Sequence, residues 1–280
     1  MTDIKQALIK AVELLSNTSL SPQIDAEILL GHVLDTSRTV LYTHPEQQLA
    51  EHEQIQYEAI VEKRVNGTPI AYLVGYKEFW SLKLLVSSDT LIPRSETELL
   101  VELTLEHCQN INKAHILDLG TGSGAIALAI ASERPEWQLF AADQSPLALK
   151  LAKFNAQQLK LTNLDFFCSD WFTNVPKLKF NAIVSNPPYI AMSDPHLHQG
   201  DVRFEPPLAL ISGKEGLDAL AFLINSSYDH ILPGGWLLVE HGYQQRTAVE
   251  AFFLKRGYQN IHCWQDLQGL DRVSGGQTAS

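Results

Sequence analysis

At 280 residues the chain has room for one large domain or two smaller ones, and 45% hydrophobic with 19% charged residues is the balance of a globular protein with a sizeable core. The formal net charge is −11, and the acidic excess runs throughout: residues 1–80 carry 6 Lys/Arg against 11 Asp/Glu, residues 81–280 carry 15 against 21. This argues against a protein whose affinity comes from neutralising many phosphates, although a local basic patch is compatible with it, and no direct nucleic-acid binding is expected. No apolar run is long enough to span a bilayer, so no membrane association is expected either.

The N-terminal "MTDIKQALIKAVELL" alternates charge with apolar residues at helical spacing and lacks the continuous apolar segment of a signal peptide. Residues 4–16, about 22–35 and about 50–66 repeat apolar positions every three and four residues, for example Leu8, Ala11, Val12 and Leu15, then Ala26, Leu29, Leu30, Val33 and Leu34. The second of these opens with "SLSPQ", a serine ahead of an early proline, which is a helix start signal. Residues 1–74 therefore read as a small helical domain. From Gly75, "YKEFWSLKLLVSSDTLIPR" is rich in aromatic and period-two apolar stretches, which predicts a hairpin-like linker over 75–93.

In the remaining residues, 94–280, "SETELLVELTLEHC" follows Arg94 and reads as a helix that Ser95 would cap, with Glu98 at the capping-box spacing. Buried strands are expected at 115–120, 137–143, 164–170, 180–186 and 235–242, with helical patterns at 124–133, 145–159, 216–232 and 244–256 between them. Strict alternation of strand and helix implies an α/β domain with a parallel sheet covered on both faces. Cys108, Cys168 and Cys263 stand far apart without a C-x-x-C pair, which speaks against disulfides or zinc and fits a reducing cytoplasm. His196 and His198 lack a third ligand at a sensible spacing, so no metal site is expected.

In such a sheet ligands bind beyond the carboxyl ends of the strands. After the first strand comes "DLGTGSGAIALAIA", in which Gly120, Thr121, Gly122, Ser123 and Gly124 form a tight turn that feeds a helix N-terminus, where free N–H groups attract an anion. The G-x-G-x-G pattern, with Asp118 two residues ahead, departs from the dinucleotide fingerprint G-x-G-x-x-G, which disfavours a nicotinamide-dependent dehydrogenase. Asp143, after the second strand, suits the two hydroxyls of an unphosphorylated ribose. In "CSDWF", Asp170 suits an adenine amino group and Trp171 an apolar wall. Taken in strand order, these residues predict a nucleoside-containing cofactor.

After the fourth strand stands "VSNPPYI". Asn186 and Pro187 each precede a proline and are pushed into extended geometry, and Pro187 and Pro188 have no N–H. The turn thus offers acceptors, the Asn186 side-chain carbonyl and a main-chain carbonyl, with few competing donors. That suits a planar NH₂ group, against whose flat face Tyr189 can pack. An amide or aromatic amino nitrogen is a poor nucleophile. Two acceptors would stabilise the positive charge that grows on it as it takes a methyl group from a sulfonium, and alignment would supply the rest. A non-catalytic module that only holds the cofactor would have no use for this turn.

Together "DLGTGSGAIALA", "AADQS", "SDWF", "SNPPYI" and "GDVRFEPPLALISGKEGLDAL" resemble the class I methyltransferase motifs of the HemK family, the peptide chain release factor glutamine methyltransferases. The resemblance extends to the helical domain and the linker. It implies a Rossmann-like class I fold with a mixed seven-stranded sheet behind a small all-α domain. It also implies S-adenosyl-L-methionine as cofactor and S-adenosyl-L-homocysteine as product, and a methyl group placed on the glutamine of the GGQ loop of class I release factors. Gly120 to Gly124, Asp143, Asp170, Trp171 and Asn186 would line the cofactor. Asn186, Pro187, Pro188 and Tyr189 would grip the substrate amide, with Asn186, Pro187 and Tyr189 as the catalytic set, and the helical domain would help dock the release factor.

Asn-Pro-Pro-Tyr is shared with methyltransferases of adenine and guanine amino groups, so a nucleic-acid target is one alternative. A ribosomal protein is another, because "PRS" at 93–95 resembles the ribosomal protein glutamine methyltransferases where the release factor enzymes usually read "PRP"; "VRFEP" favours the release factor. The end, "LDRVSGGQTAS", lacks the family's usual closing strand and carries Gly275-Gly276-Gln277, the tripeptide that the family modifies. A disordered Gly-rich terminus is expected there, with entry into a catalytic site as pseudosubstrate or target as the alternative.

Overall fold

The computed structural model describes residues 2–280, which divide into two compact units: residues 2–76 with His198–Phe204, and residues 77–197 with 205–280. The first unit is helical, with α1 (Ile4–Leu15), α2 (Pro22–Val33), α3 (Arg38–Thr43), α4 (Glu51–Val65) and α5 (Ile70–Val74). Asp3 caps α1 by accepting from the Gln6 N–H at 2.7 Å, and Glu53 reaches back to the Ala50 N–H at 2.7 Å at the start of α4. Of the expected stripe, Ala11 and Leu15 of α1 and Ala26, Leu29 and Leu30 of α2 are core together with Ala7, Tyr57 and Val61, whereas Leu8, Val12, Val33 and Leu34 pack against it half-buried. The short helices α3 and α5 have too few turns to show a periodicity. Segment His198–Phe204 is tied into this unit by Arg64, whose guanidinium bridges Asp25 at 2.7 Å and Asp201 at 3.0 Å, and by Arg203, which donates to the Asn66 carbonyl at 3.2 Å.

After the helices come β1 (Tyr76–Phe79) and β2 (Leu82–Leu85), a hairpin turned by Trp80 and Ser81, both at positive φ. The second unit then alternates α6 (Glu98–His107), β3 (His115–Leu119), α7 (Ala125–Glu133), β4 (Gln138–Asp143), α8 (Pro146–Gln158), β5 (Leu164–Cys168), β6 (Phe180–Ser185), α9 (Asp218–Ser227), β7 (Ile231–Glu240) and α10 (Arg246–Arg256), and closes with β8 (Gln259–Gln265) and β9 (Asp271–Gln277). The seven strands lie in the order β5-β4-β3-β6-β7-β9-β8, parallel except for the pairs β9 makes with β7 and β8. Alternate residues feed opposite faces: Ile116, Leu139, Val184 and Leu238 join one apolar cluster, Leu117, Phe140, Ile183 and Leu237 the other. The strand order reverses between β3 and β6, which opens a crevice at their carboxyl ends. No helix among the described residues is long and apolar enough to cross a membrane.

Two expectations are corrected. Ser95 does not cap α6; it starts a short 3-10 turn, Ser95–Thr97, and its hydroxyl bonds Glu96, while Glu98 accepts from the Trp80 N–H at 2.7 Å. The hairpin competes successfully for the carboxylate that a capping box would need. The chain end also has its closing strand. A Cβ on Gly275 would stand 2.5 Å from Leu238 Cδ2, and one on Gly276 would stand 2.9 Å from Phe253 Cδ1, so these glycines let β9 pass beneath packed side chains. Gln277 donates to the Gly234 carbonyl at 3.0 Å and accepts from Asn260 at 2.7 Å. The Gln277 amide is thus held in the sheet at both ends, which argues against the pseudosubstrate alternative.

Candidate active site

The crevice contains a cavity of about 300 Å³ built from the ends of four strands. At the end of β3 the chain turns through Gly120, Gly122 and Gly124, all at positive φ, before α7 begins. Gly120, Thr121, Gly122 and Ser123 line the cavity. Gly124 does not: a Cβ there would meet Leu128 at 2.8 Å and Ala152 at 3.2 Å, so this glycine serves the seating of α7 beside α8.

One donor of the turn and one in the first turn of α7 are committed to the chain's own carboxyls. The Gly122 N–H donates to Asp143 at 2.9 Å, and the Ala127 N–H donates to Asp118 at 3.2 Å. Carboxyl oxygens that already occupy these N–H groups leave fewer donors for a phosphate and suit a ligand with hydroxyl or amino groups. Asp118 is fully buried, takes a second hydrogen bond from the Thr121 hydroxyl at 2.6 Å and leaves Oδ1 without a partner; burial pushes its pKa up to about 7. Asp143, at the end of β4, also accepts from the Ser145 N–H at 2.8 Å, and burial holds its carboxyl above the ordinary range. Each Asp143 oxygen takes one backbone hydrogen and keeps a lone pair for a ligand, so the pair of hydroxyls expected there fits.

Beyond β5, Asp170 and Trp171 line the same cavity, with the Trp171 backbone at positive φ and its carbonyl bonded by the Ser169 hydroxyl at 2.7 Å. A mostly apolar cleft of this size with a few aimed acceptors fits a nucleoside-containing cofactor such as S-adenosyl-L-methionine.

At the end of β6 the Ser185 hydroxyl ties the strand to the Leu119 carbonyl at 2.7 Å, and the Asn-Pro-Pro-Tyr turn follows. Asn186 and Pro188 line the cavity, whereas Pro187 is buried and Tyr189 points its ring into the core. Asn186 Nδ2 donates to Thr97 Oγ1 at 3.1 Å, and Thr97 Oγ1 donates to Glu240 Oε2 at 2.7 Å. Tyr189 donates to the other Glu240 oxygen at 3.1 Å, while its main-chain carbonyl accepts from Gln245 at 3.0 Å. The Tyr189 ring is thus held from below rather than laid open as a stacking face. Asn186 Oδ1 receives no hydrogen bond from the described residues, which leaves it as the turn's side-chain acceptor toward the cavity.

The segment 88–94 and residues Pro206, Leu208 and Ala209 form the outer wall. Arg94 joins the two parts through Glu205 at 2.5 Å, with Glu205 only 3% exposed. Thr97, Glu240 and the Arg94–Glu205 pair escaped the sequence reading. A usable signal was present for Glu240, the one charged residue closing the apolar run "GWLLVE" at the carboxyl end of a buried strand.

Residues 6–75 match the PrmC N-terminal domain and residues 95–200 the methyltransferase small domain. The chain is 49% identical to the release factor glutamine methyltransferase of Xylella fastidiosa (strain Temecula1) over 91% of this chain and 93% of that one. It is 45% identical to that of Coxiella burnetii over 98% of both chains. A methyltransferase from Pyrococcus furiosus shares the fold, with a TM-score of 0.51 at 16% identity, over 71% of this chain and 90% of that chain. The mixed seven-stranded sheet is that of a class I methyltransferase, and the chain belongs to the release factor glutamine methyltransferase family.

Proposed function

We propose that this enzyme transfers a methyl group from S-adenosyl-L-methionine to the side-chain amide nitrogen of a glutamine in a class I release factor, the GGQ glutamine that the family resemblance designates. The observation that supports this most is the orientation of Asn186: its NH₂ is spent on Thr97, so its oxygen is what a substrate NH₂ would meet beside the nucleoside cleft.

S-adenosyl-L-methionine, when bound, supplies a methyl group made electrophilic by its sulfonium. Asp143 would hold the ribose, Asp170 and Trp171 the adenine, and the 120–123 turn the amino acid part. Asn186 Oδ1 and a main-chain carbonyl of the turn would accept both hydrogens of the glutamine NH₂, aim its nitrogen, and stabilise the charge that grows on it during transfer. No strong base serves this step, because the proton becomes acidic only as the nitrogen–methyl bond forms and the sulfur–methyl bond breaks, and it would then leave to water. The helical unit, residues 1–74 in the sequence reading, would help dock the release factor, with 75–93 as linker and 94–280 as the catalytic domain.

Radiolabelled methyl transfer tests this directly. Purified release factor, ribosomal protein and nucleic acid are offered in parallel; label is expected in the release factor and lost when its GGQ glutamine is replaced. Label confined to ribosomal protein or nucleic acid would overturn the assignment.

A further inference from the structure

We propose that Thr97 is a positioning residue for methyl transfer: its hydroxyl, fixed as a donor to Glu240, turns the Asn186 amide so that the oxygen and not the NH₂ meets the substrate. This rests on the reading of Asn186 as a substrate acceptor.

The two ends of an asparagine amide have nearly the same shape and opposite chemistry. Rotated by half a turn, Asn186 would present donors to a substrate NH₂, and the stabilisation would be lost. A hydroxyl neighbour does not by itself decide between the two states, since it can donate or accept. Here the choice is removed. Thr97 is 4% exposed and Glu240 is 1% exposed, and in the ionised form of Glu240, which the Thr97 and Tyr189 donors and Arg272 favour against burial, both oxygens only accept, so the Thr97 hydrogen goes to Glu240 Oε2 at 2.7 Å. Thr97 Oγ1 then has only lone pairs to offer, and the matching end of Asn186 is Nδ2, found at 3.1 Å. Tyr189 occupies the other carboxylate oxygen at 3.1 Å and holds the carboxylate in place.

The three members come from separate elements, the turn before α6, the end of β6 and the end of β7. Thr97 itself is pinned by its N–H, which donates to the Arg94 carbonyl at 3.2 Å. The chain of bonds runs in one direction, from amide to hydroxyl to buried carboxylate, and that direction is what specifies a substrate with hydrogens to give.

Thr97→Val keeps the shape and removes the hydroxyl; Thr97→Ser keeps the hydroxyl. Both are assayed for kcat and KM on purified release factor and for affinity toward S-adenosyl-L-homocysteine by calorimetry. As with other outer partners that orient a reacting side chain, Thr97→Val is expected to lower kcat about 10–100-fold while KM and cofactor affinity stay within about twofold, and Thr97→Ser recovers most of the turnover. A valine variant at wild-type kcat overturns the proposal, as does a serine variant as slow as the valine one. So does a loss of cofactor affinity that matches the loss of turnover, which would make Thr97 a cofactor or folding residue. If Asn186 were misread, a different result would appear: Asn186→Ala would turn over like wild type. If the substrate were misassigned, the wild-type enzyme itself would leave the release factor unlabelled.

Discussion

Tyr189 Oη donates to Glu240 Oε1 at 3.1 Å, joining the end of the Asn-Pro-Pro-Tyr turn to the end of β7 beneath the cavity. Burial raises the Glu240 pKa, the Thr97 and Tyr189 donors and the charge of Arg272 lower it, and Glu96 adds repulsion. Tyr189→Phe removes one of the stabilisers of the ionised form, so the Glu240 pKa rises further. The acid limb of the kcat profile is expected to move to higher pH, and the unfolding free energy at neutral pH to drop by about 1–3 kcal/mol, the usual cost of leaving a buried acceptor short of its donor. An unshifted acid limb would separate Glu240 from turnover.

Asp118 gives a stability signature of its own. Its folded pKa of about 7 stands above the ordinary value of 3.8, so between those two pH values the folded state binds more protons than the unfolded one. Stability therefore falls as pH rises through that window. In Asp118→Asn the amide oxygen can keep the Thr121 and Ala127 hydrogens without carrying charge. Its unfolding free energy, measured by denaturant titration at several pH values, is expected to show a flatter decline; curves parallel to wild type would contradict the burial argument.

Asp143→Ala should act chiefly on the cofactor. It removes the acceptor for the Gly122 and Ser145 N–H groups as well as for the ligand hydroxyls. Hydrogen bonds to a charged group are worth about 1.5–3 kcal/mol, so the cofactor Kd is expected to rise about 10–100-fold with a smaller change in kcat at saturation. Asn186→Ala should show the reverse, with turnover depressed and cofactor affinity nearly kept. Exchanged patterns would reject both roles.

The Gly-Gly-Gln at 275–277 has a structural explanation, and it is testable twice. Gly275→Ala places a Cβ 2.5 Å from Leu238 Cδ2 and 3.0 Å from the Leu237 carbonyl, and should destabilise by about 1–3 kcal/mol in a denaturation experiment. Intact-mass analysis after incubation with S-adenosyl-L-methionine should find Gln277 unmodified; a methyl group on it would mean that β9 leaves the sheet.

Legibility of the site in the sequence followed the range of its interactions. Gly120–Gly124, Asp143, Trp171 and Asn186 sit directly after strands, where local pattern and the carboxyl-end rule suffice. Thr97 and Glu240 gain their meaning only from contact across 143 residues of chain, which no local pattern encodes. Ser95 had the right spacing for a cap and lost Glu98 to the Trp80 backbone, a tertiary override of a local rule. Strands β8, "QNIHCWQ", and β9, "DRVSGGQ", are short of apolar side chains because β8 is an edge strand and β9 is covered by neighbours packed onto its glycines.

In the proposed mechanism the nitrogen held at Asn186 belongs to a protein glutamine. Tandem mass spectrometry of release factor incubated with the enzyme and S-adenosyl-L-methionine tests it most directly. A single methyl group on the side-chain nitrogen of the GGQ glutamine, absent when Asn186→Ala enzyme is used under the same conditions, is the result predicted here. A methyl group on any other residue, or equal modification by the Asn186→Ala enzyme, would contradict it.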